Sequence, residues 1–427
     1  MTPPEPFTHG DPTTSTTTSA ITVVGIGADG WAGLDERRRE AVLGAEVLLG
    51  GRRHLGLVPA VEGQERAAWP SPLADGLPGL LAAYAGRRVV ALASGDPLVS
   101  GIGGTLVRLL GPERVRVLPA VSSVALARAA MGWPADTCAV VTVVGRDAYA
   151  VLREVAPGRR LLVLSSDERT PAEVGRRLVE AGYAGSTLTA LGDLGAPQGA
   201  RAEPGVEARV VATAGAWAAG EAEAPRLHVL AVEVADAPAV PLGWVAGLPD
   251  AAYEHDGQLT KRDLRASALA RLAPTPGELL WDVGAGAGSV GIEWMRAHPS
   301  CRTVAVEADP ERAERVRRNA RRLGVPALEV VTGRAPDALA GLATPDAVFV
   351  GGGATRPGVL EACLDALRPG GRLVVHGVTL ETEAVLAAAY HAHGGELTRI
   401  SVEQTAPVGT FTGWTPARTV TQWALTR

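Results

Sequence analysis

Two patterns of hydrophobic and polar positions alternate along the chain. Short apolar runs rich in β-branched residues end in glycine, serine or proline, and most of them precede a segment with apolar residues at helical spacing. The runs predict buried strands of a largely parallel sheet, and the segments predict helices packed on it. Strands are predicted from about 21, 88 and 115, at 139–144, 161–166, 187–191 and 228–234, then at about 279–283, 303–307, 328–332, 345–350 and 371–376.

Helices are predicted between these strands. They are expected at about 33–43, 100–106, 171–181 and 311–323, with another that ends near Met131. Thr260 followed by Asp263 resembles an N-terminal capping pattern, which predicts a helix from Thr260 to about Leu272. The arginines of 311–323, Arg315 among them, are expected to form a solvated face. Residues 214–225 are predicted to be an exposed loop.

These elements predict an α/β protein with two folded domains. Residues 1–20 are rich in Thr and Pro and predict a disordered tail, and residues 21–235 form a first domain. Residues 236–250 contain prolines in their first half and show no helical or strand periodicity of apolar positions, which predicts a linker. Residues 251–427 form the second domain, where antiparallel strands at about 396–404 and 418–425 would complete a seven-stranded sheet.

Composition narrows the class of protein. Of 427 residues, 46% are hydrophobic and 20% are charged, and no apolar run reaches the roughly 20 residues that cross a bilayer. A net charge of −5 argues against nucleic acid as a partner. The three cysteines are far apart, which predicts reduced thiols and no metal site. A soluble, cytoplasmic enzyme is expected.

One stretch of the second domain predicts a nucleotide-binding crevice. The apolar run that ends at Val283 is followed by the glycine turn 284–288 and then a helix, while Glu307 ends the next strand. Glycines there let the backbone approach a ligand at a helix N-terminus, and an acid at the next strand end accepts ribose hydroxyls. The spacing Gly286-x-Gly288-x-x-Gly291 also fits a dinucleotide fingerprint, so a nicotinamide-dependent oxidoreductase is an alternative.

Asp282 and the spacing Gly284-x-Gly286-x-Gly288 resemble the S-adenosylmethionine motif of Rossmann-like class I methyltransferases. With the segments 256–263, 292–296 and 333–336, the second domain is similar to the decarboxylating precorrin methyltransferases. The resemblance implies a set of cofactor-binding residues: Thr260, Asp282, Gly284, Ala285, Gly286, Ala287, Gly288, Glu307 and Ala335.

The first domain resembles the tetrapyrrole methylases that act on precorrins. Four segments carry the resemblance, namely 25–27, 94–97, 101–103 and 119–123, although Val99-Ser100 and Val144 stand where relatives often have an aromatic pair and a histidine. The family fold has two α/β subdomains with S-adenosylmethionine between them. The resemblance therefore implies a second cofactor site in each chain, made by Gly25, Gly27, Gly95, Asp96, Gly101, Ile102, Ser122 and Ser123.

Both resemblances together imply methylation of two meso carbons of a precorrin, C5 and C15, with loss of the C12 acetate carboxyl, for cobalamin synthesis. A cobalt-containing intermediate is an alternative substrate, and a non-catalytic binding regulator is a further alternative. A homo-oligomer, with a tetramer formed through the second domain as one form, is expected. Four arginines of the second domain are candidates for the substrate carboxylates, Arg262, Arg265, Arg334 and Arg356.

No catalytic residue is identified from the sequence. Lys261 and His376 are candidates, because Lys261 is the only lysine of the chain and follows Thr260, and because His376 ends a predicted strand. A cation at a helix start opposes the helix dipole, so we expect an anion beside Lys261, with a substrate carboxylate as the candidate.

Overall fold

A computed structural model describes residues 20–196, 207–235 and 242–427. Within these ranges the chain forms sheets of five, five and seven strands and one two-stranded hairpin. The predicted tail, apart from Ala20, and residues 236–241 of the predicted linker lie outside the described residues. No helix in the described ranges has the length and apolar character to span a membrane.

The first sheet is entirely parallel, with the strand order β3-β2-β4-β1-β5. Its strands are β1 (Ile21–Ile26), β2 (Val47–Gly50), β3 (Glu65–Ala68), β4 (Val89–Ser94) and β5 (Val115–Leu118). Its helices are α1 (Glu36–Leu43), α2 (Arg52–Gly56), α3 (Leu73–Ala83), α4 (Ile102–Leu110) and α5 (Ser123–Met131). The apolar runs of β1 and β4 are almost wholly buried, as expected for parallel strands covered on both faces.

The second sheet is mixed, with the order β6-β7-β10-β8-β9. Its strands are β6 (Cys138–Thr142), β7 (Arg160–Leu164), β8 (Thr187–Gly192), β9 (Ala208–Thr213) and β10 (His228–Glu233), with helices α6 (Thr170–Glu180) and α7 (Ala214–Ala219). Strand β10 runs antiparallel to both β7 and β8. The start of β10 therefore lies beside the end of β7.

The loop predicted at 214–225 is wrong in its first half. Helix α7 occupies that part, and Thr213 caps it by accepting a hydrogen bond from Ala216 N at 3.1 Å. Ala214 and Trp217 are buried in the core of the second sheet. A six-residue helix is too short for its spacing to show in the sequence, and tertiary packing stabilises it.

The third sheet has seven strands in the order β13-β12-β11-β14-β15-β19-β16, which confirms the predicted seven-stranded sheet. The strands after residue 250 are β11 (Leu279–Val283), β12 (Arg302–Glu307), β13 (Glu329–Thr332), β14 (Ala347–Val350), β15 (Arg372–Gly377), β16 (Glu396–Ile400), β17 (Glu403–Val408), β18 (Phe411–Pro416) and β19 (Val420–Thr426). Helices α8 (Arg262–Leu272), α9 (Ser289–Ala297), α10 (Pro310–Arg322), α11 (Val359–Ala366) and α12 (Leu380–His393) accompany them. Strands β17 and β18 form the separate hairpin, which the sequence did not indicate.

Candidate functional sites

A cavity of about 350 Å³ lies between the first and second sheets. Its walls come from the carboxyl ends of β1 and β4, from the segment after β5, and from the facing ends of β7, β8 and β10. Seven of the eight residues predicted for the first cofactor site line it: Gly27, Gly95, Asp96, Gly101, Ile102, Ser122 and Ser123. The structure thus brings residues from four separate segments into one crevice.

Gly25, the eighth predicted residue, supports the cavity without lining it. A Cβ on Gly25 would lie 2.0 Å from Gly95 O and 2.6 Å from Ala120 N, so only glycine permits this approach of three strand ends. Gly95 has a φ of +52°, in the left-handed region that glycine tolerates. The Ser122 hydroxyl caps α5 by accepting a hydrogen bond from Ala125 N at 3.1 Å.

Two cavity-lining polar atoms in the second subdomain have no hydrogen-bond partner among the described residues. They are His228 Nε2 and Ser165 Oγ, and both atoms are buried. His228 Nδ1 lies 2.7 Å from Pro225 O, so Nδ1 donates and Nε2 is left as an acceptor. Burial lowers the pKa of His228, which keeps the ring neutral near pH 7. A bound ligand with polar groups would satisfy both atoms.

Sequence reasoning missed Ser165 and His228. Both stand at predicted strand ends, but the start of a strand meets the carboxyl end of its neighbour only where the pair is antiparallel. Val229 pairs with Leu164 in this way, which places His228 beside Ser165. The antiparallel pairing of β10 was the missing information.

The second site lies at the carboxyl edge of the third sheet, around the glycine turn after β11. Gly284, Gly286 and Gly288 all have positive φ, at +69°, +58° and +75°. Gly286 N donates to Glu307 Oε2 at 2.8 Å, and Asp309 N donates to Glu307 Oε1 at 3.0 Å. Each carboxylate oxygen retains a lone pair, so Glu307 is held in place and can still accept a ligand hydroxyl.

A segment before α8 packs over this turn. A Cβ on Gly286 would lie 2.8 Å from Gln258 O. Asp256 accepts a hydrogen bond from Arg312 Nε and forms an ion pair with Arg315, each at 2.9 Å. These contacts with the two arginines lower the pKa of Asp256. Arg315 is only 8% exposed, so the prediction that it belongs to a solvated face is wrong. Its contact with Asp256 fixes the segment on α10.

Asp282 does not reach the crevice as the predicted cofactor contact requires. It is 1% exposed, and its Oδ2 accepts a hydrogen bond from Gly291 N at 2.9 Å. Burial, together with the nearby charge of Glu307, raises the pKa of Asp282 to about 7. Asp282 therefore ties β11 to α9 and shapes the turn from beneath.

Arg265 is also misassigned as a substrate-binding residue. Its side chain is fully buried, its Nε lies 2.5 Å from Glu293 Oε1, and it contacts the carbonyl oxygens of Thr260 and Leu248. The guanidinium of Arg265 therefore has its partners inside the second domain. The other three candidate arginines, Arg262, Arg334 and Arg356, are exposed.

Helix α8 starts one residue after Lys261, and Thr260 is not its cap. Asp250 takes over that role, since its Oδ1 accepts a hydrogen bond from Arg262 N at 3.0 Å. Asp250 Oδ2 also lies 3.6 Å from Lys261 Nζ. The anion expected beside Lys261 is therefore Asp250, a residue of the chain itself. The prediction of Thr260 as the cap failed because the acid that binds the first helical amide lies 12 residues before it in the sequence.

His376 lies in a buried setting. It is 8% exposed, its Nε2 lies 2.9 Å from the side-chain amide of Gln422, and its ring meets Phe349 edge to face at 5.1 Å. Burial lowers the pKa of His376 to about 4. Such a ring stays neutral near pH 7, and its surroundings favour a structural role.

The remaining predicted residues of the second site lie on loops around the same turn. Arg356 Nη1 lies 3.5 Å from Ala335 O, which joins the loops after β13 and β14. Ala287 is buried, and its carbonyl accepts a hydrogen bond from Asn319 Nδ2 at 3.0 Å. A Cβ on Gly284 would lie 2.9 Å from Gly352 N, so the turn also touches the loop after β14.

Comparison with known proteins gives matches to both halves of the chain. A family model described as tetrapyrrole (corrin/porphyrin) methylases matches residues 20–199, and one described as precorrin methyltransferase domain matches residues 251–427. A precorrin-6Y C(5,15)-methyltransferase [decarboxylating] from Sinorhizobium sp. is 45% identical over 408 residues, covering 95% of this chain and 96% of that protein.

Two shorter proteins match parts of the chain. Cobalt-precorrin-7 C(5)-methyltransferase from Salmonella typhimurium is 34% identical over 176 residues, 40% of this chain and 84% of its own length. A protein named probable cobalt-precorrin-6B C(15)-methyltransferase (decarboxylating), from Pyrobaculum calidifontis, is 35% identical over 191 residues, 42% of this chain and 96% of its own length.

Proposed function

Because the chain belongs to the family of precorrin-6Y C(5,15)-methyltransferases (decarboxylating), we propose that it methylates precorrin-6Y at C5 and C15 and removes the C12 acetate carboxyl to give precorrin-8X in cobalamin biosynthesis. The observation that carries the proposal is the 45% identity across 95% of the chain, which spans both glycine-lined sites. The chain is a methyltransferase, and S-adenosylmethionine is its methyl donor.

We propose one S-adenosylmethionine site in each domain. In the first domain, the cavity supplies the seven predicted residues and the unpartnered His228 Nε2 and Ser165 Oγ. In the second domain, Glu307 and the glycine turn are preorganised by backbone hydrogen bonds. The two sites share no residue, which supports independent binding of one S-adenosylmethionine molecule at each.

The two methylations and the decarboxylation are divided between the domains. We assign one meso methylation to the first domain, and the other methylation with the decarboxylation to the second. The names of the two shorter relatives support the division, since C5 methylation stands alone in one and C15 methylation with decarboxylation in the other. The family-model matches at 20–199 and 251–427 support the division, since they fall in different halves of the chain and describe different methyltransferase families.

Bound S-adenosylmethionine supplies an electrophilic methyl group on a sulfonium. An enamine-like meso carbon of the substrate forms the new C–C bond as the S–CH₃ bond breaks, and the substrate regains neutrality by losing a proton. The protein has mainly to position the carbon in line with the methyl. In the second domain, Glu307 orients the cofactor, and the exposed Arg262, Arg334 and Arg356 are proposed to hold substrate carboxylates.

Loss of the acetate carboxyl as carbon dioxide leaves an electron pair that the conjugated ring can accept, and a proton taken up at the former acetate carbon then gives a methyl group. No further cofactor is needed for that step. We identify no general base in the second domain, and Lys261 remains a candidate whose ammonium already has Asp250 beside it.

Incubation of the protein with precorrin-6Y and methyl-labelled S-adenosylmethionine tests the proposal. Mass spectrometry should show two labelled methyl groups gained and one carbon dioxide lost in each product molecule. A parallel reaction with the cobalt-containing analogue decides which substrate is used. An unchanged tetrapyrrole in both reactions would refute the proposal, and reduction of added NAD would support the oxidoreductase alternative.

A further inference from the structure

One wall of the first-domain cavity carries a polar cluster that lies outside the predicted cofactor residues. It consists of Arg53 and His54 from α2 and Ser94 from the end of β4, and all three line the cavity. Arg53 Nη2 lies 3.1 Å from His54 Nε2 and 3.3 Å from Ser94 Oγ, and His54 Nε2 lies 2.8 Å from Ser94 Oγ. The three groups thus hold one another.

The direction of these hydrogen bonds fixes the role of each group. A guanidinium can only donate, so His54 Nε2 accepts from Arg53 and the ring proton sits on Nδ1. Burial and the charge of Arg53 lower the pKa of His54 to about 4, so the ring adds no positive charge near pH 7. The cluster therefore orients the guanidinium without neutralising it.

Among the described residues, no carboxylate oxygen lies within 4.0 Å of the Arg53 guanidinium, so Arg53 forms no ion pair there. Asp193, which also lines the cavity, acts on its charge from farther away. The Nη1 and Nε atoms of Arg53 form no hydrogen bond with any described residue. A guanidinium that is fixed in orientation and keeps free donors matches the fork geometry of a carboxylate.

Arg53 differs in solvent exposure from the residues proposed to bind the cofactor. Arg53 and Ser94 are exposed to solvent, whereas Gly95 and His228, which line the same cavity, are buried. A tetrapyrrole is much larger than the methyl donor and has to approach from the open side. It also carries several carboxylates on its rim.

We propose that Arg53 binds a carboxylate of the tetrapyrrole substrate at the first-domain site, with His54 and Ser94 as the residues that position its guanidinium. This assignment rests on the proposed function and identifies the substrate side of that site. A substrate carboxylate held by Arg53 would restrict how the macrocycle can lie relative to the methyl donor.

The test compares Arg53→Ala with Arg52→Ala in the full-length chain. Arg52 is the exposed neighbour on α2 and does not line the cavity, so it is a matched control. We expect Arg53→Ala to raise the KM for precorrin in the first-domain methylation by about tenfold or more, as for a lost charge-assisted hydrogen bond. Arg52→Ala should keep the wild-type KM in the same reaction. In Arg53→Ala the second methylation and the decarboxylation should keep their wild-type rates.

Conservative variants show whether geometry or charge matters. Arg53→Lys should recover only part of the lost affinity, since a point charge does not bind bidentately. His54→Gln retains an acceptor for Arg53 and should stay near wild type in KM, while His54→Ala should raise KM with kcat little changed.

Three results would overturn the assignment. They are an unchanged KM in Arg53→Ala, an equal loss in Arg52→Ala, and a weaker S-adenosylmethionine affinity with normal precorrin KM, which would mean that Arg53 holds the carboxylate of the methyl donor. Wild-type protein that methylates no precorrin would instead refute the proposed function, and this assignment with it.

Discussion

Two carboxylates at neighbouring strand ends of the second domain have different tasks. Glu307 ends β12, and both its oxygens accept hydrogen bonds from backbone amides beside the crevice. Asp282 on β11 is 1% exposed, and it accepts a hydrogen bond from Gly291 N. The sequence places both near the glycine turn but does not show which one faces the ligand. The direction of a side chain depends on packing against α9, which a motif does not encode.

Asp282→Asn is predicted to change how stability depends on pH. The pKa of Asp282 is about 7 in the folded chain, against an ordinary value of 3.8 for an aspartate. Between these values the folded state binds more protons than the unfolded state, so this carboxyl makes the free energy of unfolding fall as pH rises from about 4 to about 7. The amide variant lacks this contribution and can still accept from Gly291 N.

Urea unfolding of the second domain between about pH 5 and about pH 8 measures this difference. The stability of wild type relative to Asp282→Asn should decrease with pH and level off above about pH 7. Asp337→Asn, at an exposed carboxyl, is the control and should run parallel to wild type. Parallel curves for Asp282→Asn as well would contradict the buried, protonated state.

At the scale of elements, the sequence was most informative about long buried strands and least informative about short elements, among them the four-residue strands β2 and β3, which were not predicted. The runs of β1, β4, β11 and β12 are buried on both faces, so their composition alone marks them. Helix α7 and the β17–β18 hairpin left no such mark. The hairpin exposes Phe411 and Trp414, so its side chains show no buried face.

Gly25 on β1 is predicted to be essential for the shape of the first-domain cavity. In Gly25→Ala the new methyl would clash with the backbone of Gly95 and of Ala120, and no side-chain rotation can relieve a clash with backbone atoms. We expect a loss of about 1–3 kcal/mol in stability of the first domain and weaker S-adenosylmethionine binding there. Thermal unfolding and calorimetry measure the two effects.

Gly104→Ala on α4 is the matched control. A Cβ at Gly104 meets no atom within 4 Å, and the residue lies inside a helix. Alanine there should stabilise the domain by about 0.5–1 kcal/mol. Equal destabilisation by the two substitutions would show that the close approach at Gly25 is not the cause.

At the scale of the whole chain, the described contacts between the domains are few. Trp244 Nε1 donates to Arg153 O at 2.9 Å, and Arg321 Nε lies 3.5 Å from Asp147 Oδ2. Gly324 packs against the backbone of Arg153, where a Cβ would lie 2.1 Å from Arg153 N. The domain boundary near 240 and the homo-oligomer remain predictions.

A chain cut within 236–241 is predicted to give two folded fragments. Residues 242 and 243 should remain with the second fragment, because Arg296 Nη2 donates to Leu242 O at 3.0 Å and to Gly243 O at 3.2 Å. That fragment should decarboxylate and transfer one methyl group alone, as measured by mass spectrometry. Activity that returns only when both fragments are mixed would place part of a site across the boundary.

The number of S-adenosylmethionine molecules bound per chain tests most directly whether each domain has its own site. Calorimetry on the full-length protein should give two per chain for wild type and one for Glu307→Gln, with the first-domain affinity unchanged in the variant. Wild-type binding that saturates at one molecule per chain, both with and without precorrin, would contradict two independent sites.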